Sequence, residues 1–592
     1  MDSAQLDEFI EFPSRVKSRI FPSCVALLGL GTGIFLLWRW IYWSRHGFEF
    51  TDEGLYLLAA QDPWKNTFST FFGFLLHPLF LLSKCDLGFY RSLALVLLIG
   101  IAGILAVSYI RFLRISRGWV QLASVSAIIS ASLLVFSDGR RTPGYDYLVL
   151  AGALVAWAGY FSVRSLALGS IGGFLLLSTG LIICAFGKWV VALLLLGMFL
   201  ILLGTKKLLT PRKIILWGCL LALGLGASIS WIGVDAMKRA FTEAGCVVWA
   251  LGSHSTNLIP FYGATLTNFA FRCFRAFLYG APLLLFCAWA VRVPKVRQKL
   301  ESWAWFFACG ILIVGVALGL TKAGASSFSR VGSNVAAELF WLIAMAIIYC
   351  GRKFWKTMVR HGVEGACLVG TPFLLGVGTA TALGDYAGHG AVFFVLAGIG
   401  IWAALLRRGA NPQIAETFLW VSVCLNFIRL DQSLQDQFRT QPPWSCHEEW
   451  KITENGPLVY VDKDQAKSLQ VMRESLVRLG FRSGDPIIAI GDLPGAVYLL
   501  GGWSPGTCWY FAGTLGQLPY CKAVVSLVSN ETLQKSFFLF RENSPLYPER
   551  GEILGLAEQP NQPDEVTALV IFEREETRLA IWHPLVRKAK KL

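Results

Sequence analysis

Apolar runs of about twenty residues recur along the first 430 positions, and each is long enough to cross the hydrocarbon core of a bilayer. They fall at about 21–43, 90–110, 119–136, 145–163, 166–186, 189–204, 214–233, 271–291, 302–320, 335–350, 362–382, 388–406 and 414–430. A single buried core does not require such repetition; a bundle of spans does. Composition agrees: 55% of the chain is hydrophobic and 15% charged, with a mean hydropathy of +0.55, where a soluble domain carries about 25% charged residues. The fold class expected is a mainly α-helical polytopic membrane protein with about thirteen transmembrane helices. The first run is too long for the core of a cleaved signal peptide and reads as a retained span.

Charge orients the bundle. Through Leu430 there are 36 Lys+Arg against 18 Asp+Glu, and from 431 to 592 there are 17 against 20. With the N-terminus in the cytoplasm, the inner loops are RFLRISR, KKLLTPRK, RVPKVRQK, GRKFWKTMVRH and RRGANPQ, all basic, as the positive-inside rule requires. The segment FSTFFGFLLHPLFLLS (68–83) is apolar but short, and a crossing there would invert the bias, so it is placed as interfacial or re-entrant. No basic stripe on a soluble surface points to nucleic acid. Residues 1–430 then form the membrane part. Residues 431–592 form a soluble-like C-terminal domain outside the membrane, with strand, helix and strand in PLVYVDKD, QAKSLQVMRESLVRLGF and DPIIAIGD. VTALVIFE and ETRLAIWH read as a final strand pair, giving a small α/β domain of Rossmann-like character without a dinucleotide fingerprint. In an oxidising compartment a Cys508–Cys521 disulfide is open to it.

The outer loops carry the chemistry. In TDEGLYLLAAQDPW, Thr51 is expected to cap a short amphipathic helix on the outer leaflet, with Asp52 and Glu53 in its first turn and Pro63 beyond its end. Acids in a first turn are common and stabilise a helix modestly, so position alone does not make them functional. Few cations face them. Arg140 and Arg141 stand in SDGRRTPGYDYL, Lys188 sits in a tight turn between two apolar runs, and Lys322 and Arg330 flank a Gly/Ser loop. Arginine's planar fork suits a phosphate, although arginines at a helix end also anchor in headgroups, and a lone lysine can snorkel. Asp385 and His389 lie four apart on a short loop, and His254 and Tyr145 lie on two more.

This arrangement resembles the GT-C class of membrane glycosyltransferases, mannosyl- and arabinosyltransferases among them. In that class an acid, often an Asp-Glu pair, follows the first span in the first outer loop, as Asp52-Glu53 does here. The resemblance implies a polyprenyl-phosphate-linked sugar as donor, an envelope glycan, lipid or protein as acceptor, and a place in the bacterial inner membrane. It carries the first-loop carboxylate over to Asp52. Inverting transfer needs a base for the acceptor hydroxyl and cations for the departing phosphate. Asp52 is expected as base with Glu53 beside it, and Arg140, Arg141, Lys188, Lys322 and Arg330 as phosphate ligands. Asp385, His389, Tyr145 and His254 are expected against substrate. No cofactor is expected; a divalent metal among Asp52, His254, Asp385 and His389 is conceivable, but the spacing is no ligand signature.

Two other classes fit the bulk features. A transporter or flippase of lipid-linked or small solutes would show mid-span charges, broken helices and internal repeats, which the sequence does not display. An oligosaccharide ligase or polymerase would place its chemistry in a large middle loop, for which only 234–270 is a candidate.

Overall fold

The computed structural model describes residues 20–582 apart from 117, 138, 166–168, 251–257, 280–327, 351, 379–382, 408–411, 436–440, 455, 510, 512–516, 557–564 and 573–574. The described chain is mostly helical: α1 (Ile20–Tyr42), α2 (Asp52–Gln61), α3 (Phe72–Leu82), α4 (Leu87–Leu113), α5 (Gly118–Ser132), α6 (Tyr145–Ser165), α7 (Gly169–Thr205), α8 (Pro211–Ile232), α9 (Val234–Ala250), α10 (Leu258–Tyr279), α11 (Phe328–Cys350), α12 (Arg352–Leu375), α13 (Leu383–Tyr386), α14 (Ala391–Leu406) and α15 (Pro412–Gln435). Among the described residues six helices are long and apolar enough to cross a membrane, the make-up of a helical membrane protein. Thirteen runs were expected. Those at 271–291 and 302–320 fall partly or wholly outside the described residues, and the apolar stretches Gly362–Leu375 and Ala391–Leu406 are shorter than a full crossing.

Helix α7 is two arms rather than one rod. Lys188 has extended backbone angles (φ −150°, ψ 102°) inside it. Before Lys188, Gly173 and Gly180 lie against Gly159 and Gly152 of α6, and Gly187 lies against the Tyr145 carbonyl. A straight continuation would carry Phe199 about 18 Å past the end of α6. Instead its ring sits 5.2 Å from Trp157 and 5.9 Å from Tyr160, centroid to centroid. The chain therefore reverses at Lys188. Glycines seven apart on each partner share one helix face and let the backbones close together.

The loop after α1, expected on the outer side, departs from its expected form. Leu55 to Ala60 are all buried, so α2 is a wedge inside the protein and not an amphipathic helix on a leaflet. LYLLAA is apolar on every side, and such a helix is covered on every side. Its cap differs too. Thr51 makes no side-chain cap; the Glu49 carboxylate accepts from the backbone N–H of Thr51 (2.8 Å) and Glu53 (2.9 Å). Helix α3, at eleven residues, is about 17 Å long and too short to span. It packs along α2, with Gly73 over the Ala59 carbonyl.

Residues beyond 443 carry the strands. β1 (Glu448–Lys451) and β2 (Leu458–Val461) form an antiparallel pair of their own. A second sheet runs β3 (Ile487–Ile490), β4 (Phe537–Arg541), β6 (Glu575–Trp582), β5 (Glu565–Phe572). β3 and β4 are parallel, and β6 is antiparallel to both its neighbours. The expected order of strand, helix and strand is present as β2, α16 (Lys463–Arg478) and β3, and the final strand pair as β5 and β6, with β2 and β3 in different sheets. Cys446, Cys508 and Cys521 are free thiols, so the disulfide considered from the sequence is absent.

This C-terminal region is clamped onto the loop that follows α1, and one apolar core runs through both. Gly47 N–H donates to the Tyr460 carbonyl (2.7 Å), Gln465 Nε2 to Phe48 (3.0 Å) and Gly495 N–H to Phe50 (2.6 Å). Gly54 meets α17 (Pro494–Leu499) so closely that a Cβ on it would collide with the Gly495 backbone.

A second clamp comes from the stretch expected as a long loop at 234–270, which forms α9 and α10 around residues 251–257. Glu243 of α9 is buried and accepts hydrogen bonds from Thr507 and from the Tyr520 hydroxyl (3.2 Å). Burial pushes its carboxyl up to about 8. A carboxyl raised on folding favours the folded state below its unfolded value, and that contribution is lost as pH rises through the folded one. The wild type is expected to lose several degrees of melting temperature between about pH 6 and about pH 9, and Glu243→Gln to lose less. Thermal melts in detergent at the two pH values check this, and equal losses would exclude Glu243 as the source.

Candidate functional site: an acid–arginine pair at one end of the bundle

The C-terminal ends of α1 and α5, the start of α4, the start of α6 and the turn of α7 meet at one end of the bundle, and α2 enters among them. Two carboxylates at the start of α2 point into different surroundings.

Glu53 turns inward. Arg91, in the first turns of α4, gives its Nε to Glu53 at 3.0 Å and also reaches the Thr142 hydroxyl (3.2 Å) and the carbonyls of Ser44 (2.6 Å) and Gly47 (3.0 Å). The two side chains are only 4% and 2% exposed. Burial alone would push the Glu53 carboxyl up, but Arg91, the Thr142 hydroxyl and Arg141 outweigh it and hold the group below its usual range. Arg141 is buried as well and donates to the carbonyls of Trp43 and His46. Glu53 and Arg141 are thus both buried and tied to the first loop, unlike the partly open Asp52.

Asp52 turns outward. It forms an ion pair with Arg140, and the two side chains keep 17% and 16% of their surface open. Arg140 also donates to the Tyr56 hydroxyl (3.1 Å). The Tyr56 ring stands edge-on to Tyr145 at 5.6 Å, and Tyr145 in turn faces the Lys188 ammonium at 5.0 Å.

Lys188 is held by fixed partners. Its Nζ lies 2.8 Å from Asp146 Oδ1, 3.2 Å from the Leu375 carbonyl and 4.2 Å from the Tyr386 ring centre. The Tyr386 hydroxyl donates to Asp146 Oδ2 (2.9 Å), and the buried His389 ring packs 5.1 Å from that of Tyr386. The structure thus brings together Asp52, Arg140, Tyr145, Lys188 and His389, joined by Tyr56, Asp146 and Tyr386. His254 and Lys322 lie outside the described residues, as do the side chains of Arg330, in α11, and Asp385, in α13.

Glu49, Arg91 and Thr142 complete the site's frame. Glu49 is buried, and burial followed by the charge of Asp52 pushes its carboxyl up to about 7, against the hydrogen bonds from Thr51 and Glu53. Sequence reasoning missed all three. A visible signal existed for one: Arg91 stands at the head of an apolar run, where a charge needs a partner. Among the described residues no cluster of three metal-ligating side chains occurs. Comparison with known proteins finds no matching family model and no matching curated relative.

Proposed function

We propose that the chain is a membrane glycosyltransferase of GT-C type that moves a sugar from a polyprenyl-phosphate donor to an acceptor outside the cytoplasmic membrane. The reading places its 431–592 domain on the same outer side and the protein in a bacterial inner membrane. The observation that carries it is the partly open Asp52–Arg140 pair at the bundle end next to Lys188. A base and a phosphate ligand are the two groups such a transfer needs. The acceptor oxygen bonds to the sugar's C1 while the bond from C1 to the phosphate oxygen breaks, its electron pair leaving with the lipid phosphate. Asp52 takes the acceptor's proton. Arg140 holds the phosphate, its planar fork matching two phosphate oxygens. The Tyr56 hydroxyl and the Tyr145 ring stand beside the pair.

Purified protein supplied with a polyprenyl-phosphate sugar and a mixture of envelope glycan and lipid acceptors is expected to release polyprenyl phosphate in step with glycosylated product. Uptake of solute or lipid-linked sugar into proteoliposomes, with the donor left intact, would instead make the protein a carrier.

A further inference from the structure

Four cations surround the first turn of α2 and the turn of α7: Arg91, Arg140, Arg141 and Lys188. Three of them are buried and tied to fixed protein groups. Arg91 serves Glu53 and two carbonyls, Arg141 serves two carbonyls, and Lys188 serves Asp146, a carbonyl and two aromatic faces. Arg140 also donates to the buried Tyr56 hydroxyl, but its carboxylate partner Asp52 is partly open and stands on a first turn whose backbone is held independently by Glu49. Each of these cations is already engaged, so an anionic headgroup arriving here gains a cation only where an existing contact opens, and the Asp52–Arg140 pair, whose side chains keep 17% and 16% of their surface open, is the one it can reach.

We infer that Arg140 is a shared guanidinium that an incoming lipid phosphate draws away from Asp52, so that donor binding itself frees the base. This deepens the sugar-transfer reading and rests on it. Before the donor arrives, Asp52 is masked by Arg140 and the site has neither a free base nor a free cation. With the donor in place, Arg140 sits on the phosphate and the Asp52 carboxylate is open to an acceptor hydroxyl. During transfer the phosphate goes from one negative charge to two, while Asp52 becomes neutral by taking the proton. The positive charge between them follows the negative charge to the leaving group. Lys188, within electrostatic range of Arg140 but locked to Asp146, supplies a fixed background field.

The test is binding, read apart from turnover. Undecaprenyl phosphate in detergent is titrated into the wild type, Asp52→Asn, Asp52→Ser, Arg140→Gln and the Asp52→Asn/Arg140→Gln double variant, with thermal melts to show that each is folded. Removing the competing carboxylate is expected to tighten binding about threefold to tenfold in both Asp52 variants, an effect that shrinks with salt. Arg140→Gln is expected to weaken binding, and adding Asp52→Asn to it to change nothing further, because the coupling runs through Arg140. Asp52 variants that bind as the wild type does, or more weakly, overturn the exchange, as does a gain that persists without Arg140. Tightened binding in a protein that never transfers sugar would uphold the exchange and remove the transferase reading.

Discussion

Asn in place of Asp52 is expected to lower sugar transfer by about 10²- to 10⁴-fold, the usual contribution of a positioned general base, while the protein still folds. The two outcomes separate because the side chain's roles are separate. The carboxylate is partly open in its pair with Arg140, and asparagine keeps the side chain's size and an oxygen that accepts from the guanidinium. Its backbone is held by others: Glu49 fixes the N–H groups on either side of it, and Gly54 is pressed against Gly495. Turnover measured under donor saturation, beside a melting curve, checks the prediction. Full turnover in a folded Asp52→Asn protein would move the base elsewhere.

Arg91→Met is expected to do the opposite, removing about 3–5 kcal/mol of stability, the cost of leaving a buried carboxylate without its partner. One guanidinium closes the loop between α1 and α2 by serving Glu53, Thr142 and the carbonyls of Ser44 and Gly47. Methionine fills the volume and satisfies none of them. A fall of many degrees in melting temperature is the readout, with activity lost as a consequence. Combining it with Glu53→Gln is expected to cost less than the two changes summed, since the second removes the stranded charge. An Arg91→Met protein as stable as the wild type would mean that the loop is closed by other contacts.

The bundle's helices were legible because a bilayer demands runs of fixed length, and α1, α4, α5, α6 and α8 are such runs. The reversal at Lys188 was legible too, as a polar residue between two apolar halves. The glycines that explain how tightly those halves pack against α6 stand seven apart in plain view: 152 and 159, then 173, 180 and 187. What was not legible depends on long-range contact. Thr51 has the right chemistry for a cap, but Glu49 takes that part because the chain bends at Thr51 (φ −94°, ψ −93°). That bend goes with the docking of Phe50 and Gly54 on Gly495, more than 400 positions away in sequence. Asp52 and Glu53 look alike as neighbours in a first turn. Only the placement of Arg91 and Arg140, on different elements, sends one to the interior and leaves the other at the opening. In the C-terminal region the order of strands and helix was legible but the pairing was not, since β2 and β3 flank one helix yet join separate sheets.

The clamp between the loop that follows α1 and the last quarter of the chain also sets the order of events during synthesis. A nascent polypeptide that has inserted every helix through α15 still lacks Tyr460, Gln465 and Gly495, the residues that pin the segment bearing Asp52. The segment bearing Asp52 is therefore pinned only once synthesis has passed Gly495, long after the helices around it are made.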